Sequence, residues 1–286
     1  MSLEGTLTVL EDNLNIILDK YPSEYIFKCR EMFEPIIYTY LQDTYGSIFD
    51  TFWINNPPPK ESKYGIFITE RRSHPNLWFL LRNLHYYCPN WQITIHCSND
   101  NYEYLKSICY PHTDLIHLKI VFESDASPQQ GKIEYNKHLK KLSTWESIQS
   151  EHILCAETDT YLINKIPDDI LTYDYVASVY SWNLSSSGYA WNPSYPGGGG
   201  LSLRKKSTMV LICNSQDPSL HRDQDVYCSE SILELNLTYT KFYETCFIES
   251  YESEYIAGLH QWWSFYKDFQ HDKTLIKKIL TCVLFK

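Results

Sequence analysis

Apolar residues recur at helical spacing near the start of the chain, where Leu10, Leu14, Ile17, Leu18 and Tyr21 predict a helix beginning at about Leu7. Tyr21-Pro22-Ser23 interrupts that run, with Ser23 placed to cap a second helix, and Pro35 is expected to open a third segment containing Ile36, Ile37, Tyr40 and Leu41. Asn55-Asn56-Pro57-Pro58-Pro59 reads as a linker. The pattern therefore divides the chain into a helical N-terminal extension, residues 1–60, and a main domain, residues 61–286. The extension is too short for a robust core of its own. It is expected to pack on the main domain or to serve as a homo-oligomerisation surface.

After the prolines the period changes. Tyr64 to Thr69 and Trp91 to Cys97 read as buried strands, joined by a helix from Asn76 to Tyr87 whose apolar positions are Leu77, Leu80, Leu81 and Leu84. Strand, helix and strand of these lengths form a parallel βαβ unit. A short helix from Asn101 to Cys109 and a strand from Ile116 to Phe122 follow. Tyr135 to Gln149 predicts one helix, burying Leu139, Leu142, Trp145 and Ile148 and presenting Lys137, Lys140 and Lys141 to solvent. Ile153 to Ala156 and Asp174 to Tyr180 read as strands, Ser181 to Tyr195 as a long functional loop, and Leu201 to Leu203 as strand-like. Cys228 to Leu235 reads as helix, Cys246 to Glu249 as a late strand, and Leu275 to Leu280 as a docked amphipathic helix. The fold class is α/β: a mixed, mostly parallel central sheet flanked by helices, with the helical extension in front.

Candidate chemistry begins where the apolar run Ile153 to Ala156 meets Glu157 and Asp159. On an extended chain that i, i+2 spacing turns both carboxylates to one face. Paired acids at the end of a buried strand require a proton, a cationic side chain or a metal ion. The competing reading is a turn in which Asp159 caps the next segment. Gly197 to Gly200 would let the backbone approach a ligand or act as a hinge, and it fits neither a P-loop nor a dinucleotide fingerprint. Asp223 and Asp225 open a helix, where capping is the simple role. His260 stands beside Gly258, Trp262 and Trp263, as a structural residue or a ligand.

Composition narrows the partners. A net charge of −10 makes a poor binder of nucleic acid or anionic membrane. The 24 tyrosines and 8 tryptophans suit either sugar-lined surfaces or cores. Nine cysteines without zinc spacing, together with the lack of a signal-peptide pattern or membrane-length apolar run, predict reduced thiols in a cytoplasmic protein with no transmembrane segment. The sequons at Asn183 and Asn236 then carry no meaning.

The order of these motifs resembles the GT-A class of glycosyltransferases. More narrowly, it is similar to a little-characterised family, assigned to glycosyltransferases, of bacteria and large DNA viruses. The matching elements are Thr69 to Pro75, Glu157-Thr158-Asp159, Asp174-Tyr175-Val176, Gly197 to Arg204, Gln224-Asp225-Val226 and Gly258-Leu259-His260, within about residues 61 to 265. The resemblance implies transfer of a sugar from a nucleotide-diphosphate sugar, a UDP-sugar favoured, to an acceptor hydroxyl on a glycan, protein or small molecule. It implies Mn²⁺ or Mg²⁺ held by Asp159, Glu157 and His260, with the first acid a Glu where the family pattern usually writes Asp. Glu70, Arg72, Thr158, Gly198 and Gly199 are implied as donor-binding positions, although the family often carries Asn within the run where Gly198 stands. Asp225 is the implied general base if the reaction inverts; a retaining reaction would give it another role, such as binding the acceptor. Trp191, Trp262 and Trp263 are candidate sugar platforms or core residues. Two other readings stand beside this one: a non-catalytic carbohydrate-binding or assembly protein on the same scaffold, and a glycoside hydrolase using two carboxylates.

Overall fold

The computed structural model describes residues 1–123, 127–178, 196–219, 223–241, 244–249, 255–266 and 272–281. The predicted loop 181–195 with Trp191, and the end of the predicted strand at Val179-Tyr180, lie outside the described residues.

Helix α1 (Leu3–Lys20) starts at Ser2, whose hydroxyl accepts from the Gly5 amide at 3.1 Å. It buries Leu7, Leu10, Leu14 and Ile17, while Leu18 and Tyr21 face outward. Ser23 sits in a short 3₁₀ turn and caps nothing. The next helix, α2 (Tyr25–Asn55), runs unbroken through Pro35, which was expected to open a separate segment. An internal proline forfeits one ladder bond and costs about 3 kcal/mol. Burial of Phe33, Ile37, Leu41, Phe49 and Trp53 on the same helix offsets it.

Strands β1 (Tyr64–Thr69), β2 (Gln92–Ser98), β3 (His117–Phe122), β4 (His152–Ala156), β6 (Tyr175–Ser178) and β7 (Gly198–Lys205) form one sheet in the order β3-β2-β1-β4-β7-β6. The pairs β1–β2, β2–β3 and β1–β4 are parallel; β7 runs antiparallel to both its neighbours. A second, small sheet holds β5 (Thr160–Leu162), β9 (Gly258–His260) and β8 (Phe247–Ile248) in that order. Helices α3 (Leu77–Tyr87) and α4 (Tyr102–Cys109) make the parallel crossovers. The chain moves outward from β1 to β2 and β3, then returns to place β4 on the other side of β1. The crevice beyond the carboxyl ends of β1 and β4 is thus a topological switch point, where open α/β sheets bind ligands.

The predicted helix from Tyr135 to Gln149 is two helices, α5 (Pro128–Leu139) and α6 (Leu142–Glu146). The break persists because side chains take over its backbone groups: Thr144 Oγ1 donates to the His138 carbonyl at 2.6 Å and Trp145 Nε1 to that of Leu139 at 2.9 Å. Lys140 is consequently buried instead of solvated, its ammonium donating to the Pro218 carbonyl at 2.7 Å. Helices α7 (Lys206–Ser215), α8 (Gln224–Glu234) and α9 (Lys273–Leu280) complete the described elements, the last docking through Leu275, Ile276, Ile279 and Leu280.

One apolar core joins Leu10, Phe33 and Phe49 of the N-terminal helices to Leu80, Ile93, Leu201 and Trp263 of the main domain. Residues on both sides of the proline linker are therefore packed together. The cysteines among the described residues are free thiols, nearly all buried. Among the described residues, no helix is long and apolar enough to cross a membrane.

Candidate metal centre

Strand β4 delivers Glu157 to the carboxyl edge of the large sheet. The Glu157 amide donates to the Gly200 carbonyl at 2.9 Å, which extends the β4–β7 ladder by one step. The chain then turns: the Thr160 amide and hydroxyl both donate back to the Glu157 carbonyl, at 3.2 and 2.7 Å. Thr158 enters this turn through its carbonyl, which accepts from Asn76 Nδ2 at 3.2 Å. Glu157 and Asp159 are thus gathered by a turn and not by an extended strand. The turn hands the chain from the large sheet to the small one, where Thr160 pairs with His260 and the Gln261 amide donates to the Asp159 carbonyl at 2.9 Å.

This brings one potential ligand atom each of Glu157, Asp159 and His260 within 4.8 Å of one another. The imidazole of His260 is fixed from behind, with Nδ1 3.2 Å from Glu249 Oε2, and Gln261 Nε2 donating to Glu249 Oε1 at 2.8 Å. Its Nε2 points forward, 3.5 Å from Asp159 Oδ1. That oxygen is buried and accepts no hydrogen bond, whereas Asp159 Oδ2 accepts from Arg30 at 3.1 Å. Glu157 Oε1 accepts from the Tyr135 hydroxyl at 2.6 Å.

The electrostatics follow from so many acids in one place. Burial, followed by the charge of Asp159, raises the Glu157 carboxyl above its ordinary range. The same two causes push Glu34 up to about 7. Burial alone would lower the imidazole of His260, but the carboxylates of Glu249 and Asp159 outweigh it and raise the group to about 9. An orphaned carboxylate oxygen, two carboxylates and an imidazole backed by a further carboxylate form a donor set that could hold a metal ion.

Of the other predicted positions, Glu70 spends its carboxylate internally. It accepts from the Arg71 and Arg72 amides at 2.8 Å each and from Arg72 Nε and a terminal guanidinium nitrogen at 2.9 and 2.8 Å. Glu70 is a clamp that aims Arg72, whose side chain stays 57% exposed. The carboxylate of Glu70, joined by the charges of Asp159 and Glu34, raises the Arg72 guanidinium above its ordinary value.

The glycine run forms β7, and two of its members make room for this chain's own side chains. A Cβ on Gly200 would stand 2.2 Å from His260 Nε2, and one on Gly199 would stand 2.1 Å from Gln224 Nε2. Gly198 opens β7, at the edge of the sheet where Glu157 lies, and pairs with Ser178. Asp225 lies in the first turn of α8, accepts from the Val226 amide at 2.8 Å, and contributes to raising Glu157. Asp223 holds the N-cap position without a side-chain cap bond and pairs with Lys132 at 3.5 Å. Trp262 and Trp263, offered as sugar platforms or core, are core: both are fully buried, and Trp262 Nε1 donates to the Tyr161 hydroxyl at 2.9 Å.

Sequence reasoning missed Arg30, Glu34, Tyr135 and Glu249. For the first two a signal existed: Arg30, Glu34 and Tyr38 recur at i, i+4 and i+8, which stacks them on one face of α2. Glu249 followed a two-residue strand with nothing to mark it.

The family model described as "Protein of unknown function (DUF5672)" matches residues 118–251. That span includes Glu157, Asp159, the glycine run, Asp225 and Glu249, and excludes Arg30, Glu70, Arg72 and His260. No curated protein matches the chain.

Proposed function

We propose that this chain is a metal-dependent glycosyltransferase of GT-A type, moving a sugar from a nucleotide-diphosphate sugar, a UDP-sugar first among them, to an acceptor hydroxyl. One observation carries the reading. A Glu157–Asp159–His260 cluster with a buried carboxylate oxygen that accepts no hydrogen bond lies at the switch point of the sheet, with the partly exposed guanidinium of Arg30 bonded to Asp159 and that of Arg72 within reach of the same charge. Clustered acids with cations beside them suit a ligand that carries negative charge and arrives with a divalent cation, as a nucleoside diphosphate does.

In this reading Glu157, Asp159 and His260 hold Mn²⁺ or Mg²⁺. When bound, the ion neutralises charge on the departing diphosphate as a Lewis acid. Glu249 keeps the ring of His260 turned so that Nε2 faces the ion. Arg72, held by Glu70, pairs with a phosphate oxygen. Asp225, across from Glu157 at the start of α8, accepts the proton of the acceptor hydroxyl in an inverting reaction.

Calorimetric titration with UDP, GDP, CMP and ADP, each with Mn²⁺ and with chelator, tests the reading. Metal-dependent binding of one nucleotide, lost in Asp159→Ala, is the expected result. Binding of free sugars without metal or nucleotide would instead identify a non-catalytic carbohydrate-binding protein. For the proton acceptor, near-normal kcat in Asp225→Asn would remove that role.

A further inference from the structure

Helix α2 lies outside the motifs that resemble a glycosyltransferase and outside the matched family span, yet it forms one wall of the metal centre. Three residues at successive turns meet the Glu157–Thr160 segment or its support. Arg30 donates to Asp159 Oδ2 at 3.1 Å, Glu34 accepts from Asn76 Nδ2 at 2.9 Å, and the Tyr38 hydroxyl donates to the Thr160 carbonyl at 2.8 Å. Asn76 in turn holds the Thr158 carbonyl. The lower two residues of this stripe are anchored in the protein. Arg30 is at the mouth, with 46% of its side chain exposed, against 8% for Asp159.

The two arginines facing the cluster differ in how they are held. The guanidinium of Arg72 is fixed by two bonds to a single buried carboxylate. Arg30 makes one bond, to a carboxylate oxygen of the proposed metal-binding set. A doubly charged ion on Asp159 and a guanidinium on the same carboxylate repel each other. A long, half-exposed side chain can leave such a contact with little loss, because partly exposed ion pairs contribute only about 0–1 kcal/mol.

We propose that Arg30 is a positioning residue with two stations: it neutralises Asp159 while no divalent ion is bound, and it moves to a phosphate oxygen of the ligand once one is. The phosphate station rests on the nucleotide-sugar reading; the metal station does not. The N-terminal helix then becomes part of the site, coupling metal entry to phosphate capture.

The test uses the full chain as wild type, Arg30→Ala and Arg30→Lys, titrated with Mn²⁺ alone and, at saturating Mn²⁺, with inorganic pyrophosphate. Removing the guanidinium is expected to tighten Mn²⁺ binding by about tenfold, because the competing cation is gone. The same change is expected to weaken pyrophosphate binding by about tenfold, and Arg30→Lys to restore part of it. Opposite signs in the two titrations are what a merely structural ion pair would not produce. Unchanged Mn²⁺ affinity in Arg30→Ala overturns the proposal, and so does unchanged pyrophosphate affinity. If both arms behave as expected while no nucleotide binds, the nucleotide-sugar reading fails, and with it the nucleotide as the source of the phosphate, while the metal station of Arg30 stands. Arg30 is half-exposed, so the variants are expected to melt within a few degrees of wild type.

Discussion

Two buried histidine sites on this molecule sit at comparable depth and respond to burial in opposite ways. On β2, His96 Nδ1 lies 2.8 Å from Nε2 of His138 on α5, with the rings of Phe67 and Phe122 packed edge-on around them. Burial, reinforced by the like charges of His138 and Lys119 on His96 and of Lys141 and Lys119 on His138, pushes His96 down to about 3 and His138 to about 4. At β9, His260 is as deeply enclosed but stands between Glu249 and Asp159, and it is raised to about 9. Burial always disfavours the charged ring. What distinguishes a site from a core pair is whether the protein has also buried opposite charge beside it. Around His96 and His138 each ring meets the other's hydrogen-bonding need. Around His260 one carboxylate oxygen, Asp159 Oδ1, is left without a hydrogen bond. The first arrangement is complete, and the second is a donor set that could hold a metal ion.

The largest effect should come from closing the space that admits the His260 ring. In Gly200→Ala the new Cβ would stand 2.2 Å from Nε2 and 2.4 Å from Cε1, so the imidazole must leave its place. Displacing a ligand's ring should cost at least about 100-fold in Mn²⁺ affinity, the upper end of what disturbing a ligand's support costs. Overpacking of this kind should also lower stability by about 1–3 kcal/mol. Mn²⁺ titration and thermal melting of the same preparation read both. A folded Gly200→Ala protein that binds Mn²⁺ like wild type would mean His260 is a core histidine after all, no different in kind from the pair on β2.

The ease of reading this chain follows the range of the interactions. Continuous apolar runs such as Ile66-Phe67-Ile68 and Ile153-Leu154 mark parallel strands because both faces of such a sheet are covered. The order of those strands, with Glu157 and Asp159 at the end of a central one, placed the candidate site. The helix break after Leu139 was hidden because Thr144 and Trp145 supply its bonds from outside the backbone pattern. Arg30 was hidden because a proline linker separates it from Asp159, 129 positions away in sequence, and only the shared core brings them together. The glycine run was legible as close approach, but the approaching groups, His260 and Gln224, come from elements that no local pattern connects.

The histidine pair supplies the next test. Both rings have folded values below the ordinary 6.5, so protons bind the unfolded chain better. Their contribution to stability is present above pH 6.5 and is lost as pH falls toward about 4 and then 3. Each should contribute a slope of up to about 1.4 kcal/mol per pH unit in that window. Urea midpoints between pH 6.5 and 4.5 are expected to fall less steeply in His138→Gln than in wild type. His260, protonated in folded and unfolded chains alike well below pH 6.5, adds no slope of its own there. Equal slopes for wild type and His138→Gln would show that the pair is not held neutral, and the contrast between the two sites would collapse.

The smallest of these effects probes the support behind the His260 ring. Glu249 is buried, accepts from Gln261 with one oxygen and faces His260 Nδ1 with the other. Glu249→Gln keeps its size and replaces one acceptor with a donor. If the amide oxygen turns to His260, two amide NH₂ groups of residues 249 and 261 confront each other. If it turns to Gln261, the amide nitrogen requires Nδ1 as acceptor, which puts the ring's proton on Nε2, the nitrogen that faces Asp159. Either choice weakens Mn²⁺ binding without moving the ring, so a loss of about 10-fold, or about 1.4 kcal/mol, is expected, well short of Gly200→Ala. Calorimetry resolves a change of that size, and the melting temperature should shift little because shape is kept. Full Mn²⁺ affinity in Glu249→Gln would mean that the space left by Gly200 alone sets the ring, and the buried carboxylate would then have to be explained by its bond to Gln261, the residue whose backbone at φ 34° ties β9 to Asp159.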